Sequence, residues 1–81
     1  MGNDEDPAAI TPSARRHGVP DADILHALRN PHQIDFGDDG RIFAIGSRRD
    51  GAFLELVIVD DGAGGKLRII HAMPARTTRL R

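Results

Sequence analysis

Two hydrophobic rhythms divide this chain. Just past Pro20, Ile24, Leu25 and Leu28 fall on one face at helical spacing. From His32 the period drops to two, with Ile34 and Phe36 alternating with Gln33 and Asp35. A helix is therefore predicted over 20–29. Asp21 and Asp23 lie at its positive end and Arg29 at its negative end, and Asn30-Pro31 stops it. Ahead of it, Thr11 can serve as an N-cap with Pro12 at the first helical position. Gly18 supplies a left-handed stop and Val19 the apolar residue that follows one. That marks a first helix over 11–17, too short to stand without packing.

Four strands follow, at 32–36, 41–46, 52–60 and 66–73. Asp38-Asp39-Gly40, Ser47 to Gly51, and the glycine-rich stretch Asp61 to Gly65 separate them. The run Phe53-Leu54-Glu55-Leu56-Val57-Ile58-Val59 is almost wholly apolar, which predicts a central strand covered on both faces. In the last strand, strict alternation puts Leu67, Ile69, His71 and Met73 on one face. Lys66, Arg68, Ile70 and Ala72 take the other. Connections of hairpin length imply antiparallel neighbours. The expected fold is α+β: a short N-terminal helix pair packed on a four-stranded antiparallel sheet, forming one domain over 11–81. Residues 1–10 are polar and aperiodic and are expected to be disordered.

Composition narrows the function classes. The chain has 81 residues, enough for one domain with a small core. It contains no cysteine, so neither a disulfide nor a thiolate metal site is available. No stretch is long and apolar enough to span a membrane, and the acidic opening does not read as a signal peptide, so a cytoplasmic protein without membrane contact is expected. Three Phe with no Trp or Tyr argue against single-strand binding by serial base stacking. The net charge of −1 conceals an asymmetry. Asp4, Glu5 and Asp6 make the head acidic, while Arg76, Arg79 and Arg81 make the tail basic.

Candidate chemistry lies in a set of basic residues and histidines. Arg16 and His17 end the predicted first helix. Arg41 opens the second strand, and Arg68, His71, Arg76, Arg79 and Arg81 cluster toward the end of the chain. The four histidines lack metal-ligand spacing, and Gly62-Ala63-Gly64-Gly65 joins two strands instead of opening a helix. No metal and no cofactor is expected. RNA cleavage needs no more than this equipment, because the 2′-hydroxyl is the nucleophile. Guanidinium groups hold phosphate, and imidazole moves protons. Alternation sets Arg68 and His71 on opposite faces, so they share a site only if the strand departs from regularity between them.

Several stretches together resemble one family. Ala14-Arg15-Arg16-His17-Gly18-Val19 with Asn30-Pro31 resembles the opening motifs of BrnT-type toxins of the RelE superfamily. Arg41-Ile42-Phe43-Ala44-Ile45-Gly46 and Leu67-Arg68-Ile69-Ile70-His71-Ala72 are similar to two later strands of that family. The likeness covers roughly residues 13–76 in order. The family's aromatic N-terminal strand has no counterpart in the acidic head, and Met73-Pro74 stand where it carries arginines. The resemblance implies a RelE-like fold and a toxin of a type II toxin-antitoxin system. Such a toxin is a metal-independent endoribonuclease that cuts mRNA, in some cases on the ribosome, and is neutralised by a cognate antitoxin. It points to Arg16, His17 and Arg68, with His71 in place of the family's serine. On this reading His71, Arg68 and Arg76 are catalytic, and Arg16, His17, Arg41, Arg79 and Arg81 bind RNA. The alternative is a non-catalytic RelE-like module that pairs with a partner protein. A third possibility is a small protein that self-associates through its sheet edges as a homodimer, with no ligand.

Overall fold

The computed structural model describes residues 8–60 and 67–76. In chain order it contains β1 (Ala8–Ile10), a 3₁₀ turn (Pro12–Arg15), α1 (Asp21–Arg29), β2 (Pro31–Phe36), β3 (Arg41–Ser47), β4 (Phe53–Asp60) and β5 (Leu67–Pro74). The strands form one mixed sheet in the order β1-β5-β4-β3-β2. β1 runs parallel to β5, and every other pair is antiparallel. The expected helix pair on a four-stranded antiparallel sheet, and with it the RelE/BrnT-like architecture, is therefore corrected to one α-helix on a five-stranded mixed sheet.

Both departures lie at the start of the chain. Residues 8–10, expected to lack structure, add a fifth strand to the outer edge of β5, with Ala9 opposite Arg68 and Ile10 opposite Ile69. The predicted first helix contracts to a 3₁₀ turn because its polar side chains bind β5. Thr11 Oγ1 donates to the Ile69 carbonyl at 2.9 Å, and Ser13 Oγ to that of Ile70 at 2.9 Å. Tertiary partners thus decide a segment too short to be decided by its own propensity. The Gly18 stop forms as expected, at φ +76°. Residues 1–7 and the 61–65 loop lie outside the described residues.

α1 lies over β3 and β4. Ile24 and Ala27 are fully buried there, against Leu54, Leu56, Ala44 and Ile69. Leu25 and Leu28, predicted to share the buried face, are only half-buried. Gly46 permits the close approach, since a Cβ at that position would collide with the Ala27 carbonyl. Asp23, expected only to complement the helix dipole, is buried at 3 % exposure. It accepts hydrogen bonds from Arg49 Nε at 2.7 Å, Arg49 backbone N–H at 3.1 Å and Arg48 Nη2 at 3.2 Å. The two arginines of the β3–β4 turn are therefore bound to the helix.

β4 is central, as predicted, but not covered on both faces. Leu54, Leu56 and Ile58 face α1. Val57 and Glu55 face the other way, onto an open concave surface.

Candidate functional site

The open face is ordered by strand register. Residues paired across antiparallel strands project to the same side, so the pairings define rows. One row runs Asp35–Phe43–Val57–His71, and the next Gln33–Ile45–Glu55–Met73. A third begins at Arg41 and passes Val59 to Arg68. The first two rows, Met73 excepted, line a cavity of about 590 Å³ together with Arg41 and Arg76, within the usual size of small-molecule sites.

A bulge in β5 builds the row that ends at His71. Val57 pairs with His71, and Ile58 with Ile69, leaving Ile70 as the extra residue. Ile69 and Ala72 consequently both point into the core, each at 0 % exposure. Arg68 and His71, placed on opposite faces by strict alternation, therefore share the open face. A bulge inserts one residue and resets the alternation beyond it, which is the irregularity a common site required.

The chemical centre of the face is Glu55, at 7 % exposure. Its Oε2 lies 3.3 Å from His71 Nε2 and 3.2 Å from Arg76 Nη2. Its Oε1 is buried and has no hydrogen-bond partner among the described residues. Burial pushes the Glu55 carboxyl up, but hydrogen bonds from Arg76 and His71 outweigh it and hold the group below its ordinary range. Arg76 leans over the carboxylate with its side chain 55 % exposed, so the guanidinium faces both Glu55 and solvent.

His17 stands beside His71, outside the cavity lining. Its ring stands edge-on to that of His71, with centroids 5.7 Å apart and planes at 77°. The turn that carries it is tied to β5 through Thr11 and Ser13.

The structure thus brings together His17, His71, Arg76 and Arg41, all singled out from the sequence. Arg68 shares their face but lies outside the cavity lining, at the row beyond His71. Arg16 is exposed on the turn that bears His17. Arg79 and Arg81 lie outside the described residues. Sequence reasoning does not single out Glu55. One charge within an otherwise apolar central strand is the available signal, since a carboxylate is rarely buried without partners. Among the described residues no group of three or more His, Asp or Glu side chains is arranged to hold a metal ion. Nor is any helix among them long and apolar enough to cross a membrane.

No protein-family model matches the chain, and comparison with curated proteins and with solved structures found no similar chain. The likeness to BrnT-type toxins rests on the motifs alone, so the chemistry of the open face carries the functional reading.

Proposed function

We propose that the open sheet face binds RNA and cleaves it without a metal ion, as a translation-inhibiting toxin does. The observation that supports this is the contact group Glu55–His71–Arg76 on the floor of a concave surface. It combines a proton acceptor, a proton donor and a phosphate-binding cation within one side chain's reach.

Each residue has a defined part. Arg76, with Arg41 at the cavity lip, holds the scissile phosphate. Glu55 accepts the proton of the neighbouring 2′-hydroxyl. That oxygen attacks phosphorus while the bond to the 5′-oxygen breaks, and protonated His71 gives its proton to the leaving oxygen. The product is a 2′,3′-cyclic phosphate. His17 does not touch the reacting atoms and acts as a positioning residue for the His71 ring. Arg76 also links binding to proton transfer. Once its guanidinium turns to the phosphate, Glu55 loses a partner that kept it ionised, while burial still raises its proton affinity. The base strengthens when substrate arrives.

The test is incubation with RNA in the presence of a chelator, followed by analysis of the new ends. Cleavage with cyclic phosphate termini is expected. Glu55→Gln and His71→Ala each lower the rate by about 10²–10⁴-fold, and Arg76→Ala weakens RNA binding. Intact RNA in vitro, together with unimpaired growth of cells expressing the chain, would sink the proposal.

A second reading, a non-catalytic module that pairs with an antitoxin-like protein, has its own observation. β2 is one of the two edge strands, and Ile34 and Phe36 stand on it 47 % and 77 % exposed. An extended segment of the partner would pair along this edge and cover both side chains. Under that reading Ile34→Lys with Phe36→Lys abolishes partner binding, while Glu55→Gln leaves it unchanged.

A further inference from the structure

The two edges of the sheet differ in what they expose. β1 has three residues, and so short an edge strand offers little to pair with. β2 has six, and its irregular features, Pro31 and the register shift before Gln33, both lie at its start. From Gln33 to Phe36 the pairing is regular. The hairpin turn fixes which backbone groups of this stretch are used. Gly37 N–H donates to the Arg41 carbonyl at 2.8 Å, and hydrogen-bonded pairs alternate along an antiparallel ladder. Asp35–Phe43 is therefore the next bonded pair, and Ile34 and Phe36 turn their N–H and C=O groups away from β3, to the vacant side. These two are also the exposed large apolar residues among those described, Phe36 at 77 %. They project to the helix side of the sheet, where α1 lies over β3 and β4. Outward backbone groups and bare apolar side chains thus coincide at two residues of one edge.

We propose that a second copy of the chain occupies this edge. β2 pairs antiparallel with the same strand of the other copy, with Ile34 on the two-fold axis, and two five-stranded sheets join into one. A contact of a surface with itself closes as a two-fold pair. Strand chemistry and charge choose the register. Hydrogen bonds form only where outward-facing residues oppose one another, so the axis falls on Ile34, Asp35 or Phe36. An axis on Phe36 sets Ile34 against Asp38 of the other copy, which already lies in the turn. An axis on Asp35 sets that carboxylate against its own copy, with Cα atoms about 4.5 Å apart, where like charges repel. An axis on Ile34 sets Asp35 across from the uncharged Gln33 of the other copy, and does so twice. Ile34 then meets its own copy, and Phe36 lies diagonally across from it, within reach of an aromatic side chain. The pairing makes no use of the open face and stands whether or not that face cleaves RNA.

So short a ladder falls at the small end of specific interfaces, and the dimer should dissociate on dilution. Sedimentation of the full chain over a range of concentrations should show a reversible monomer–dimer equilibrium. Phe36→Lys should raise the dissociation constant at least about tenfold, and its amide spectrum reports whether the fold is kept. The chain has no cysteine, so single substitutions read the register. Mild oxidation should crosslink Ile34→Cys fastest, because its Cα lies about 5.5 Å from its copy in a bonded pair, inside the range that a disulfide spans. Phe36→Cys, far out of step with its copy in this register, should stay uncrosslinked. Fastest crosslinking at Asp35→Cys overturns the register. A dimer that Phe36→Lys leaves unchanged overturns the edge pairing. A chain that is monomeric at every concentration overturns self-association and leaves the edge to the strand of a different protein.

Discussion

Glu55 is the residue on which the open face depends. A carboxylate at 7 % exposure is stable only with partners, and it has two, both on Oε2. Oε1, buried and without a partner among the described residues, is the unsatisfied acceptor of the group. Removing the partner instead of the acid tests this arrangement. Arg76→Ala should raise the Glu55 carboxyl toward and above its ordinary range, because burial then acts with less opposition. Carbon-13 titration of the side-chain carboxyl reads that shift, and an unchanged titration would mean that Arg76 does not hold Glu55 ionised. Thr11 matters for a different reason. Its hydroxyl anchors the turn bearing His17 to β5. Thr11→Val should cost about 1 kcal/mol of stability in urea unfolding and loosen the contact between His17 and His71.

At the scale of elements, the approach of α1 to the sheet turns on Gly46. A methyl group there meets the Ala27 carbonyl, which is backbone and gives way only if the helix moves. Gly46→Ala should therefore destabilise the fold by about 1–3 kcal/mol, measured by chemical denaturation. Gly51, with φ +92° but open space around a Cβ, carries only the backbone strain of its turn. β5 shows the opposite kind of control, in which one extra residue reorients side chains without changing which strands pair. Deleting Ile70 should leave Ile69 opposite Ile58 and His71 opposite Val57, because those partners are adjacent on β4, and so keep both side chains on their present faces. Sharp amide resonances with a retained core are expected, and broadened ones would mean that the bulge itself is needed for the packing.

For the whole molecule, acid stability follows from buried carboxylates. Asp23 is held at about 2, below its ordinary value of 3.8, first by the side-chain and backbone hydrogen bonds from Arg49. Its folded pKa lies below the unfolded one, so the folded protein binds fewer protons through this group. Its contribution to stability is complete above the unfolded pKa and is lost as pH falls from about 4 toward 2. Glu55, also lowered, acts in the same sense. Asp23→Asn should flatten the stability–pH curve over that window while leaving the Glu55 part, as followed by urea midpoints at several pH values. An unchanged slope would mean that the Arg48–Asp23–Arg49 contacts do not survive in solution.

Local chemistry makes much of this protein legible from its residues alone. Helix α1, the stop at Gly18, the three antiparallel hairpin pairings and the central place of β4 follow from period, turn residues and apolar runs, which act over a few neighbours. His17, Arg41, His71 and Arg76 stand out because few side chains here can hold phosphate or move protons. Only the tertiary structure decided the rest. β1 has three residues, and its pairing partner lies nearly sixty positions away. The 3₁₀ turn is set by β5 carbonyls, and the β5 bulge depends on which residue opposes which on β4. Each of these is a long-range choice among locally similar conformations, so no short window of sequence contains it. The same reason explains Glu55: its position in an apolar run is plain, but its role depends on two residues of the β5 end that only folding brings beside it.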